Sequence, residues 1–120
     1  MKIIGITSHR SSKVQGMGDR YLQLESHPEP GWVNFFNDTY SNYFSTSKRR
    51  ARIEGDQLVI NCTLDEIQSQ IIVMQEQLLR ATNRFNQNEI QLKLEAEAQE
   101  AALKEQEDIA NNVFNNLKFR

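Results

Sequence analysis

Hydrophobic residues along this chain follow two different rhythms, and the change from one to the other falls near residue 63. Before that point the apolar positions come in short runs. Lys2 to Thr7 carries Ile3, Ile4 and Ile6 around Gly5 and predicts a buried strand in which the glycine permits close backbone approach. Ser8 to Asp19 is polar and rich in Ser and Gly, the composition of a loop. Tyr21-Leu22-Gln23-Leu24 predicts a second short strand, halted by His27-Pro28-Glu29-Pro30-Gly31, where two prolines fix φ and remove donors. From Trp32 the period lengthens: Trp32, Phe35, Phe36, Tyr40 and Tyr43/Phe44 recur at three- and four-residue steps, one face of a short helix. Alternation returns in Arg50-Ala51-Arg52-Ile53-Glu54 and in Gln57 to Cys62, with Gly55-Asp56 between them. That pattern predicts a β-hairpin closed by a glycine-first type II′ turn.

Thr63-Leu64-Asp65-Glu66 is a capping-box sequence, in which Thr63 caps a helix and Glu66 reaches back to its backbone N–H. No glycine or proline follows it. A helix from 64 to about 110 would extend roughly 70 Å. In heptads its a positions are Leu64, Ile71, Leu78, Phe85 and Leu92, and its d positions Ile67, Met74, Ala81, Asn88 and Glu95. Ile72 and Leu79 widen the stripe, enough for a sheet on one side and a partner helix on the other. Beyond Glu95 the chain offers alanine, glutamine and acid. The last stretch is apolar again at Ile109, Val113, Phe114, Leu117 and Phe119, but four asparagines there weaken the helix and suggest a bent tail that docks elsewhere. The fold expected is α+β: residues 1–62 form a small antiparallel sheet with one aromatic-rich helix, and residues 63–120 a long amphipathic helix. A head of about 60 residues buries too little surface to cover that helix, so the chain should self-associate as a homodimer or higher oligomer.

Charge sharpens the division. Residues 1–60 carry eight Lys/Arg against six Asp/Glu, whereas residues 89–120 carry seven acids against four bases. The acidic end argues against general nucleic-acid binding and sends any anionic ligand to the head. Cys62 is the only cysteine, which excludes an internal disulfide and a zinc framework. The apolar start is too short for a signal peptide and no run reaches a membrane span, so an intracellular, reducing, cytoplasmic setting is expected, with no membrane partner. The histidines, His9 and His27, have no nucleophile or acid pair beside them, and no serine lies in a nucleophile-elbow context. The expectation is a protein without catalysis, metal or cofactor.

Three places carry binding chemistry. Gly16-Met17-Gly18-Asp19-Arg20 reads either as an ordinary turn or as a loop turning N–H groups and the Arg20 fork toward an anion. Lys48-Arg49-Arg50-Ala51-Arg52 aligns Arg50 and Arg52 on one strand face, either to grip phosphate or carboxylate or to protect a sheet edge. Arg80, Asn83 and Arg84 share one helical turn, where Asn83 can read a polar edge and Arg84 an anion, or where all three are solvated surface. An aromatic such as Trp32 or Phe36 would stack on a base if it were not core. The ligand-binding set expected is therefore Arg20, Trp32, Phe36, Arg50, Arg52, Asn83 and Arg84.

In order along the chain, Pro-Gly-Trp (30–32), Lys-Arg-Arg-Ala (48–51), Gly-Asp (55–56), Cys62 before Leu-Asp-Glu, Thr-Asn (82–83) and Leu-Lys-Phe (117–119) resemble small proteins encoded by tailed phages and prophages. Within that group the chain is similar to the Thoeris anti-defence proteins. The resemblance implies an oligomer in an infected bacterial cell that sequesters a cyclic nucleotide or ADP-ribose-type immune signal without cleaving it. It carries over no ligand residue. The rival expectation is an inhibitor, adaptor or assembly factor that works through the long acidic helix.

Overall fold

A computed structural model describes residues 1–119. Two strands come first, β1 (Ile3–Ile6) and β2 (Gly18–Leu24), followed by helix α1 (Pro30–Asn42). Strands β3 (Ala51–Glu54) and β4 (Gln57–Cys62), a 3-10 turn (Leu64–Glu66) and helix α2 (Ile67–Asn115) complete the order. The strands form one antiparallel sheet in the order β1-β2-β4-β3. This is the α+β fold that the two hydrophobic rhythms predict.

Met1 to Phe85 forms one compact unit, and the chain from Asn86 onward forms another. The start of α2 therefore belongs with the strands. In the first unit, period-two alternation puts Leu22 and Leu24 of β2 and Leu58, Ile60 and Cys62 of β4 on one sheet face. Trp32, Phe36 and Tyr40 of α1 and Met74, Leu78 and Ala81 of α2 join them in a single core. The α1 rings stack in a column, with centroids 5.7 Å apart from Trp32 to Phe36 and 5.8 Å from Phe36 to Tyr40. α1 starts two residues earlier than its aromatic pattern because proline suits a first-turn position, where no N–H is needed.

The hairpin forms as its alternation predicts. Gly55 has φ +62° and no other described residue has positive φ, which fits a type II′ turn and not type I′. At the capping box the Thr63 N–H donates to Glu66 Oε1 at 3.0 Å, but the first turn is 3-10 and α2 proper begins at Ile67.

Elsewhere the structure departs from expectation. β1 is an edge strand: Ile4 and Ile6 are exposed, and no atom would crowd a Cβ on Gly5, so the glycine serves no close approach. The pairing slips between Ile3 and Gly5, a bulge of the kind that interrupts open sheet edges. β2 starts at Gly18, three residues before its apolar run, because Asp19 and Arg20 pair across to Asn61 and Ile60. The a and d positions Ile67, Ile71, Met74, Leu78, Ala81 and Phe85 pack into the unit's own core, so this stretch is no free coiled-coil seam. Leu117 and Phe119, expected to dock elsewhere, are exposed.

Candidate functional site

The basic cluster lines a groove of about 910 Å³ at the start of β3. Lys48, Arg49, Arg50 and Arg52 line it against a single acid, Asp19. Strand alternation explains the arrangement. Ala51 and Ile53 turn toward the core, so Arg50 and Arg52 are left on the exposed face, beside Asp19 and Asn61 of the neighbouring strands. β3 is held there by the Asn61 N–H donating to the Arg50 carbonyl at 2.9 Å.

The four cations are not equivalent. Arg49 forms a two-pronged pair with Glu66, its nitrogens 2.6 and 3.3 Å from the carboxylate oxygens. That pairing, with the Thr63 bonds, pulls the Glu66 carboxyl down to about 2, and it raises Arg49 further above its ordinary value. Arg49 is therefore a wall fixed to the cap of α2. Arg52 lies 3.6 Å from Asp19 and 3.3 Å from Glu54, both exposed pairs that a stronger anion can displace. Lys48 donates to the Tyr40 carbonyl at 2.7 Å and lies over the Tyr40 ring, yet meets no carboxylate. Arg50 is exposed, and its guanidinium has no hydrogen-bond or ion-pair partner among the described residues. Two uncompensated charges and one loosely held guanidinium thus face one groove, with the Tyr40 ring as its apolar side. Burial raises the Tyr40 hydroxyl above its ordinary value, and that hydroxyl donates to the Arg49 carbonyl.

The structure separates the residues that the sequence suggests as a set. Arg50 and Arg52 come together in the groove. Asn83 and Arg84 line a different cleft of about 440 Å³ with Thr39, Asn42, Tyr43, Gln77 and Arg80, and the two depressions share no residue. There Arg84 donates to Thr39 Oγ1 at 2.7 Å and to Asp38 Oδ2 at 2.8 Å, and Arg80 pairs with Glu76 at 2.8 Å, so both cations are engaged. Buried in the same cleft wall, Gln77 keeps its Nε2 without a partner.

Arg20, Trp32 and Phe36 are not at a ligand surface. Arg20 is fully buried; Nε donates to Cys62 O, one terminal nitrogen to Ser12 O, and the other to Val14 O and Gly16 O at 2.8 and 2.9 Å. The glycine-rich loop therefore turns carbonyls inward onto a cation, the reverse of an anion nest. A Cβ on Gly18 would come within 2.7 Å of Ser12, so this glycine serves close packing. Trp32 and Phe36 are core, with Trp32 Nε1 donating to Thr82 Oγ1 at 3.0 Å.

Met17, Asp19, Tyr40 and Asn61 also line the groove, and the sequence pattern does not single them out as binding residues. Asn61 had a legible signal, an amide between the core residues Ile60 and Cys62 and so on the opposite face. Tyr40 had none, since its place in the aromatic stripe reads as pure core. No protein-family model, no curated protein and no solved structure matches the chain.

Proposed function

We propose that this protein is a self-associating binding protein that holds a small anionic ligand, of the phosphate-bearing nucleotide type, in the groove at the start of β3 and does not turn it over. One observation carries the reading: Lys48 and Arg50 face the groove without a carboxylate, and Arg52 holds only exposed, displaceable acids. A phosphate there would gain charge-assisted bonds from a planar fork and a point charge together. Tyr40, almost wholly buried and covered by Lys48, gives the groove an apolar edge and no stacking face. The resemblance to phage-encoded signal-sequestering proteins points the same way, because sequestration asks only for tight, selective binding.

The test is a thermal-shift and calorimetry screen of cyclic dinucleotides, cyclic ADP-ribose-type molecules and inorganic pyrophosphate. At a hundred times its Kd a ligand should add about 2.7 kcal/mol to stability. Arg50→Ala should weaken binding by about ten- to a hundredfold, the worth of a charge-assisted bond, and Arg84→Ala should leave it unchanged. No shift with any of these probes would remove the reading.

A second reading is favoured by the exposed apolar and acidic surface from Asn86 onward. In it that helix binds another protein, and removing residues 95–120 abolishes function while the groove still binds.

A further inference from the structure

We infer that the part of α2 from Ile90 to Val113 pairs antiparallel with the same segment of a second copy, about a two-fold axis between Ala101 and Ala102. This rests on the self-association in the proposed function and adds its surface, direction and register.

At 3.6 residues per turn, Ile90, Leu94, Ala98, Ala101, Ala102, Ile109 and Val113 fall on one side of the helix, interrupted by the polar Gln91, Glu105 and Asn112. Its large members are all exposed: Ile90 60%, Leu94 55%, Ile109 60% and Val113 54%. The stripe is nearly its own mirror image. Ile90 and Val113 are equally far from the midpoint between Ala101 and Ala102; so are Leu94 and Ile109. Turned end over end, the stripe therefore matches a copy of itself, bulky residue to bulky residue at both ends and alanine to alanine at the centre. That is the condition for an isologous interface, where residue i meets j and j meets i. The central alanines let the two backbones approach closely, and the seam runs about 35 Å. Two faces of that length cover roughly the 1,200 Å² at which stable interfaces begin.

Charge selects the same direction. Lys93, Glu97, Lys104 and Asp108 lie along one flank of the stripe. In an antiparallel pair this flank meets itself reversed, which brings Lys93 toward Asp108 and Glu97 toward Lys104 of the second copy. The opposite flank carries Asn88, Glu95, Gln99 and Gln106 and no base. A parallel pair would set the two flanks against each other and offer the lysines only Glu95, half the number of opposite-charge pairs. One position breaks the mirror: Glu105 faces Ala98, whose small side chain leaves room for the glutamate stem to bend out to water. Leu92, Leu103 and Phe114 lie on the far side of the helix and are not covered by this pair, so pairs stacking on pairs would also be even-numbered.

The experiment uses the full chain with cysteines at exposed seam positions; Cys62 is fully buried and stays silent. Light scattering first gives the mass. Leu94→Cys and Ile109→Cys chains, co-expressed and gently oxidised, should yield mostly the mixed disulfide, at least tenfold over either self-link, because Leu94 lies about 22 Å from its own copy in this register. Leu94→Cys linking to itself as fast as to Ile109→Cys would overturn the direction while leaving self-association standing. An even-numbered particle with no mixed link would overturn the seam in the same way. A particle of single-chain mass at tens of micromolar would overturn both, and the groove would still be judged by its own ligand screen.

Discussion

The two halves of α2 are built from similar residues and meet opposite fates. Between Ile67 and Phe85 the side chains of Ile67, Ile71, Val73, Met74, Leu78 and Phe85 close onto the core of the first unit, with Met74 and Leu78 wholly buried, while Ile72 and Leu79 stay exposed. From Asn86 onward every large apolar side chain described is at least half exposed. Helical periodicity alone does not distinguish them. What differs is the surface at hand: strands β2 and β4 and the α1 aromatics cover the first half, and the apolar side chains of the second half stay exposed. An isolated helix of that composition gains little in water from propensity, so its order is tied to whatever covers it.

The sharpest way to break this contrast is to delete the same atoms in both halves. Leu78→Ala should cost about 2–5 kcal/mol in denaturant unfolding, whereas Leu103→Ala should change the unfolding of the first unit by under about 0.5 kcal/mol. Equal losses would mean that the second half is part of one cooperative core. Next in size, Gly18→Ala forces a methyl onto Ser12 and should cost about 1–3 kcal/mol by the same measurement; a neutral result would show the 12–18 loop to be yielding. The smallest effect is acid sensitivity at the joint between sheet and helix. Glu66 is lowered in the folded chain to about 2 from an ordinary value of 4.5, so its contribution is fully present above pH 4.5 and drains away as pH falls toward 2. The urea midpoint of the wild type should fall more steeply across that window than that of Glu66→Gln. Parallel curves would detach the Arg49–Glu66 pair from stability.

Much of the fold is legible because local signals agree. Alternation at 50–54 and 57–62, a glycine where φ is positive, and Thr63 three residues before Glu66 each specify geometry through neighbours in sequence. The sequence is silent where the deciding partner is remote. Ile3, Ile4 and Ile6 look like a buried strand, but only the sheet order reveals an edge. Arg20 looks like a ligand grip until the carbonyls of Ser12, Val14, Gly16 and Cys62 are seen around it. Arg50 and Arg84 look alike as surface cations, and only Asp38 and Thr39, far away in the chain, set them apart. Half the groove was thus readable from the basic run, and Tyr40 and Asp19 were not.

The single thiol of the chain lies on the inward side of β4, a central strand, completely shielded, and burial raises its pKa so that it resists ionisation. Alkylating reagents can reach it only when the sheet opens. The rate of that reaction is consequently a built-in stopwatch for transient opening of the core, readable without any label. A tightly held ligand should slow it, and changes confined to the distal helix should leave its pace untouched.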